Sequence, residues 1–211
     1  ELKSVYLEKL VSGQWTGTMN LTEPQAGSDL ALVRTRAEPQ PDGTYRLFGQ
    51  KMWISTAQVA NKMLLLARTT SLDQIKRKTE GLTLFYTEID RKTVEIRMIE
   101  KMGRHAVDSN MIFFDGFEIP VEDRIGEEGR GFHAILHGMN PERILIAAEA
   151  IGLGEIALER ATKYARERVV FDRPIGQNQG IQHPLAERWI ELEAAELLTY
   201  RAAWKYDQGE P

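Results

Sequence analysis

Several short stretches of the chain hold residue types that can do chemistry. Leu21-Thr22-Glu23-Pro24-Gln25-Ala26-Gly27-Ser28-Asp29 reads as a strand breaking into a loop suited to an anion or the edge of a heterocycle. Pro24 fixes one φ, Gly27 permits close approach, and Ser28 and Asp29 are short polar residues that bond to nearby backbone. Such a loop can present unpaired N–H groups and a hydroxyl to a ligand, although polar turns of this composition also occur with no ligand. Lys51-Met52-Trp53-Ile54-Ser55 places Trp53 in a strand, where a core aromatic is the plain reading. Asn140-Pro141-Glu142 reads as a helix start: Asn140 caps, Pro141 takes the first position, and the acid at the second suits the dipole. Arg166–Arg173 is a basic run at a helix end, which the dipole favours by itself. His133 and His137 have the i, i+4 spacing of zinc helices, but no H-E-x-x-H accompanies them, so no metal site is expected.

The elements that must position these residues divide by periodicity. Up to about Arg124 the chain reads as β, with short runs at Trp15–Leu21, Ala31–Ala37, Tyr45–Gln50, Met52–Ser55, Met63–Ala67, Leu82–Ile89, Val94–Met98 and Met111–Ile119. Strands at this spacing, with turn signals such as Pro41-Asp42-Gly43, argue for a sandwich or barrel of antiparallel strands. The polar segment Thr69–Glu80 is expected to be an exposed loop. After Gly126–Gly131 the period becomes helical, predicting helices over Phe132–Met139, Pro141–Val170 and Pro184–Tyr206, with Phe171–His183 as a connector. Ile144, Ala147, Ala148, Ile151, Leu158 and Ala161 form one apolar face, and Leu185, Trp189, Leu192 and Ala195 another.

Composition narrows the function classes. The 211 residues contain no cysteine, which removes disulfides, thiolate metal sites and thiol nucleophiles. A net charge of −4 supplies no basic footprint for nucleic acid and no polybasic membrane patch. No apolar run reaches membrane-spanning length. Two amphipathic helices cannot cover each other's apolar faces, and Gly209-Glu210-Pro211 is a loop-like ending. The expectation is therefore a fragment, or a subunit that relies on neighbours, whose targeting segment, if any, would precede Glu1.

The wording of the first loop, L-T-E-P-x-A-G-S-D, resembles the flavin-binding signature of acyl-CoA dehydrogenases, and the similarity runs essentially end to end. It implies an α-β-α fold of which this chain would hold a remnant of the N-terminal helical domain (1–13), the central β domain (14–125) and the start of the C-terminal helical domain (126–211). It implies FAD, with Met19, Leu21 and Thr22 against the flavin ring and Ser28 near the phosphate or CoA groups. The second stretch is similar to the family's K-x-W-I-[ST]; Trp53 would pack on the isoalloxazine and Ser55 would bond flavin N5. Arg166–Ile175 with Gln179 is similar to R-x-x-F-G-x-x-I…Q, which would bring Arg168, Phe171, Gln179 and Asn178 to the FAD of a neighbouring subunit. Asp172 stands where that motif has glycine.

The same resemblance implies α,β-dehydrogenation of an acyl-CoA thioester, with a carboxylate taking the α-proton, hydride passing to flavin N5, and electrons leaving to an electron-transfer flavoprotein. The weakly acidic α-proton asks for a desolvated base. Glu142 matches its position in isovaleryl- and long-chain-type members, with Asn140 and Arg143 toward the CoA side or helping to position the base. Other members place the base on a later loop beyond this chain. Glu23 is expected to be a structural partner for an arginine. The family further implies a homodimer or homotetramer in the cytoplasm or mitochondrial matrix. Two rivals stand beside this reading: an acyl-CoA oxidase or flavin monooxygenase on the same scaffold, and a non-catalytic piece lacking a complete FAD site.

Overall fold

The computed structural model describes the backbone of residues 2–210 and side chains from Tyr6 to Glu210. Its residues fall into two compact units, one ending at Leu136 and one beginning at His137.

The first unit opens with α1 (Leu2–Val11). Tyr6 of α1 stacks obliquely on Trp15 and meets Tyr86 edge-on, 5.2 Å between ring centres, which ties the helix to the β structure. The strands are β1 (Gly17–Asn20), β2 (Arg36–Pro39), β3 (Thr44–Ser55), β4 (Lys62–Arg68), β5 (Leu82–Glu88), β6 (Val94–Met98), β7 (Ser109–Pro120) and β8 (Arg124–Ile125). They form one sheet in the order β6-β7-β3-β2-β4-β5-β8, with β1 added beside β4. Pairing is antiparallel as expected, except that β1 and β2 each run parallel to β4. Inward side chains from successive strands, among them Tyr45, Leu47, Leu65, Phe85, Ile112 and Ile119, make one buried cluster. The alternation of buried and exposed residues along β7 is the period-two signature of a half-covered strand.

Two expectations about this unit change. The two runs Tyr45–Gln50 and Met52–Ser55 are one strand, β3, bent by a bulge. The run Ala31–Ala37 begins as a 3-10 turn at Leu30–Leu32, and extended pairing starts only at Arg36. Arg68 explains that turn, because its buried guanidinium collects the carbonyls of Ala31 and Val33. It also takes those of Thr70 and Glu80, closing the exposed 69–80 loop at its base.

The helical region differs more. The two helices expected around Asn140 are a single α2 (Gly131–Glu167), with Pro141 inside it. Proline removes one donor, freeing the carbonyl of His137, yet its fixed φ is itself helical, and the helix-forming runs on both sides continue through it. Asn140 is therefore not an N-cap. The N-terminus of α2 lies so close to β5 that a Cβ on Gly131 would sit 2.4 Å from the backbone nitrogen of Leu84. Glycine is obligatory there.

In the second unit, α2 is followed by a hairpin of β9 (Val169–Val170) and β10 (Arg173–Pro174), a 3-10 turn at Ile175–Gln177, and α3 (Gln179–Asp207). The connector thus contains ordered structure, and α3 starts five residues before the predicted Pro184. Ile151 and Leu158 of the predicted α2 face are buried, and Gly154 lets Leu192 of α3 approach to 2.8 Å of where a Cβ would stand. Trp189 and Ala195, expected on the apolar stripe of α3, are exposed. So are Leu153, Ile190, Leu197, Leu198 and Trp204, as expected for two helices that cannot cover each other.

Candidate functional site

Period-two alternation from Tyr45 and Leu47 carries Lys51 to the buried face of β3, and there the structure places an ion pair. Lys51 is fully buried; its Nζ donates to Glu23 Oε1 at 2.8 Å and to the Leu21 carbonyl at 2.9 Å. Glu23, also buried, accepts the Thr35 N–H on Oε1 at 2.9 Å, and on Oε2 the Arg34 N–H at 2.7 Å and the Gln25 amide at 2.6 Å. Burial pushes the Lys51 ammonium down to about 8 against the pull of Glu23. Burial would raise the Glu23 carboxyl, but the charge and hydrogen bond of Lys51, with hydrogen bonds from Thr35 and Arg34, outweigh it and hold the carboxyl below its usual range. The expected arginine partner of Glu23 is thus a lysine, and Lys51 is the residue sequence reasoning missed. Its phase with Tyr45 and Leu47 was the signal.

Immediately after Lys51 the register against β7 slips: Lys51 faces Ile112, whereas Ile54 faces Asn110. Two residues, Met52 and Trp53, therefore oppose one, which is a β-bulge. The extra residue reverses the alternation, burying Ile54 and turning Trp53 outward, 54% exposed, with φ +63°. A bulky residue in the left-handed region costs about 1–2 kcal/mol. Trp53 is not the core aromatic that a regular strand would make it.

Hydrogen bonds join the two signature stretches around this bulge. The Met52 N–H donates to the Thr22 carbonyl at 2.9 Å, and the Thr18 hydroxyl donates to the Ser55 carbonyl at 2.6 Å. Asn110 Nδ2 holds the Ile54 carbonyl at 3.0 Å. Met19 and Ser55 are exposed, Thr22 is half-buried and Leu21 is buried. Gly49 carries φ +145°, and a Cβ there would meet the Thr35 backbone at 2.7 Å, so the strand can lie against the end of the 21–35 segment only as glycine. Gly27, by contrast, is not demanded by the fold, since a Cβ would find only Thr22 Cγ2 at 4.0 Å. Ser28 is exposed on the same loop, beside Asp29, whose carboxylate lies 3.6 Å from Lys78.

The second unit gathers two further groups of predicted residues. Asn140, Glu142 and Arg143 share one exposed turn of α2, with Arg143 Nη1 donating to Asn140 Oδ1 at 3.0 Å. Asn140 and Arg143 line a cavity of about 300 Å³ together with Lys205, Tyr206 and Glu210 of the α3 end. The described residues do not bury Glu142, so its own helix supplies none of the desolvation a base requires. Arg168 lies just beyond α2 and is exposed. Phe171 is 94% exposed at the tip of the β9–β10 hairpin, where it and Asp172 have φ +52° and +61°. Asn178 is engaged within the fold, its Oδ1 accepting from Arg173 at 2.6 Å and its Nδ2 donating to the Ile175 carbonyl. Gln179 is the exposed first residue of α3. His133 and His137 are both exposed. Among the described residues no group of three or more His, Cys, Asp or Glu could hold a metal ion.

Comparison with known proteins places this geometry. Residues 18–117 match the acyl-CoA dehydrogenase middle domain, and residues 129–211 match the acyl-CoA dehydrogenase C-terminal domain. An acyl-CoA dehydrogenase of Bacillus subtilis is 38% identical over 99% of this chain and 54% of its own length. An L-prolyl-[peptidyl-carrier protein] dehydrogenase of Pseudomonas fluorescens is 36% identical over 100% of this chain and 55% of its own. The solved butyryl-CoA dehydrogenase of Megasphaera elsdenii superposes with a TM-score of 0.90 at 34% identity, over 99% of this chain and 54% of that one. The chain thus spans about half the length of the curated relatives it matches. With both halves of the sequence matched and the fold shared along nearly its whole length, this chain belongs to the acyl-CoA dehydrogenase family.

Proposed function

We propose that this chain carries the flavin-contacting part of an enzyme that dehydrogenates an acyl thioester between its α and β carbons. The observation that carries the reading is Trp53: a large flat side chain held outward in a strained backbone conformation, on a bulge that hydrogen-bonds to the L-T-E loop. The residues present suit FAD. Trp53 offers a flat apolar partner for the flavin ring and Ser55 a hydroxyl for ring N5; Met19 is exposed and Thr22 half-buried on the segment bonded to the bulge, and Leu21 is buried there. A structural neighbour, PigA, was solved with FAD at 32% identity and a TM-score of 0.91. When bound, FAD supplies the hydride acceptor.

The chain's own residues supply proton chemistry and binding. Glu142 takes the α-proton, and Arg143, with Asn140 holding its guanidinium, contacts the CoA side of the substrate. The water-excluded surroundings that a working base needs would have to come from substrate and surrounding protein. Arg168, Phe171 and Gln179, projecting from the hairpin and the α3 start, serve the FAD of a neighbouring subunit in a homodimer or homotetramer. Asn178, already committed to Arg173 and Ile175, shapes that end of the hairpin. An electron-transfer flavoprotein receives the electrons.

Glu142→Gln tests the assignment. The variant should retain FAD yet lose about 10²–10⁴-fold in the rate of flavin reduction by acyl-CoA without oxygen. Near-normal reduction would move the base elsewhere. A second reading, in which the thioester is an aminoacyl group on a carrier protein, is favoured by the 36% identity to the L-prolyl-[peptidyl-carrier protein] dehydrogenase. Presenting the same acyl group on CoA and on a carrier protein, and following flavin bleaching, separates the two; oxygen uptake on substrate addition identifies an oxidase.

A further inference from the structure

The geometry points to Lys51 and Glu23 as positioning residues: their buried ion pair sets the 21–35 loop against the Trp53 bulge and so fixes the two halves of the flavin-contacting surface relative to each other. This role rests on the FAD reading above.

Each member of the pair adjoins flavin-facing residues on its own segment. Glu23 follows Leu21 and Thr22 in the chain, and Lys51 precedes Met52 and Trp53. One ammonium grips both the Leu21 carbonyl and the Glu23 carboxylate. That carboxylate in turn takes the N–H groups of Arg34 and Thr35, gathering the far end of the loop to the same point. The whole excursion from Leu21 to Thr35 is thereby referenced to a single atom of β3, and the Met52-to-Thr22 hydrogen bond adds a second tie one residue further along.

Stability does not account for such a pair. Removing two charges from water costs several kcal/mol per ion, and a well-packed apolar pair of similar volume is commonly as stable or more so. Apolar contacts, however, slide, whereas this set of directed bonds admits one arrangement. A strained residue persists only where its surroundings over-determine it. Lys51 clamps the bulge from the N-terminal side, and Asn110, through the Ile54 carbonyl, clamps it from the other.

The test compares two variants of the protein in the presence of FAD. Lys51→Met with Glu23→Gln removes both charges while keeping volume, and Ile119→Ala truncates a core residue of β7. Three quantities are read: the thermal midpoint without FAD, the FAD dissociation constant, and quenching of flavin fluorescence, to which Trp53 contributes by stacking. The double variant should melt no lower than Ile119→Ala, yet bind FAD about tenfold or more weakly and lose quenching. Ile119→Ala should lose midpoint and keep both flavin readouts. Flavin readouts that stay at wild-type values in the double variant, or that fall in proportion to midpoint in both variants, overturn the positioning role. Should the double variant not fold, Glu23→Asp, which keeps the charge but shortens its reach, takes the same measurements with the same expected and overturning results. A wild-type full-length enzyme, carrying the same residues, that takes up no FAD overturns the proposed function and this role with it; wild-type binding with unaltered variants overturns the role alone.

Discussion

Trp53 combines two properties that a structural residue rarely shares, a half-exposed indole and a positive φ. Their energetics give a prediction with an unusual sign. Truncating a packed core tryptophan costs about 3–5 kcal/mol. Trp53→Gly instead relieves about 1–2 kcal/mol of left-handed strain and gives back about 0.5–1 kcal/mol in chain entropy. The thermal midpoint of the FAD-free protein should therefore hold or rise, while FAD binding weakens; calorimetry with and without FAD reads both. A midpoint drop on the scale of a core truncation would return Trp53 to the core. At this scale the sequence was partly legible. The motif marked Trp53 and Ser55, and strand phase could have marked Lys51, but the outward turn of Trp53 was not readable because a bulge leaves no composition signal. Asn140 and Pro141 misled for a related reason: cap-forming residues describe a helix start equally well when the helix runs through them.

Elements carry the next level of information, and the β9–β10 hairpin is the clearest case. A two-residue turn with positive φ at both central positions is the type I′ pattern, for which glycine and asparagine or aspartate are suited and phenylalanine is not. Asp172 tolerates its position and Phe171 does not, so the strain sits on the residue whose ring is most exposed. Asp172→Gly should stabilise the protein by up to about 1 kcal/mol, seen as a higher thermal midpoint, because glycine meets no penalty at that φ. A lower midpoint would mean that the Asp172 side chain contributes more than the turn costs. The sequence showed a connector here and could not show a hairpin, since neither two-residue strand has room for a periodic signal. The strongly patterned strands fared better: β4, β5, β6 and β7 lie within a residue or two of where hydrophobic period places them, and α3 keeps its predicted C-terminal end. The parallel pairing of β1 with β4 was invisible, because alternation along a strand says which face is buried and nothing about its neighbour's direction.

At the scale of the whole molecule, the sheet's order departs from sequence order at the place that matters for the site. β3, bearing Lys51, Trp53 and Ser55, is covered on one edge by the short β2 and along the other by β7, more than fifty residues later in the chain. During synthesis, therefore, β3 emerges long before the strand that closes its edge, and such pairings form slowly because a long loop must be ordered first. An uncovered strand edge is a template for association with other chains. Residues 1–108 alone should form oligomers or precipitate, whereas residues 1–136 should elute as a single compact species on size exclusion. Were the shorter piece equally well behaved, β7 would be dispensable for closing the sheet. The Trp53 bulge, which exists only as a mismatch of register against β7, thus belongs to the last stage of assembly: a nascent chain owns every residue of the flavin signature well before it can own their arrangement.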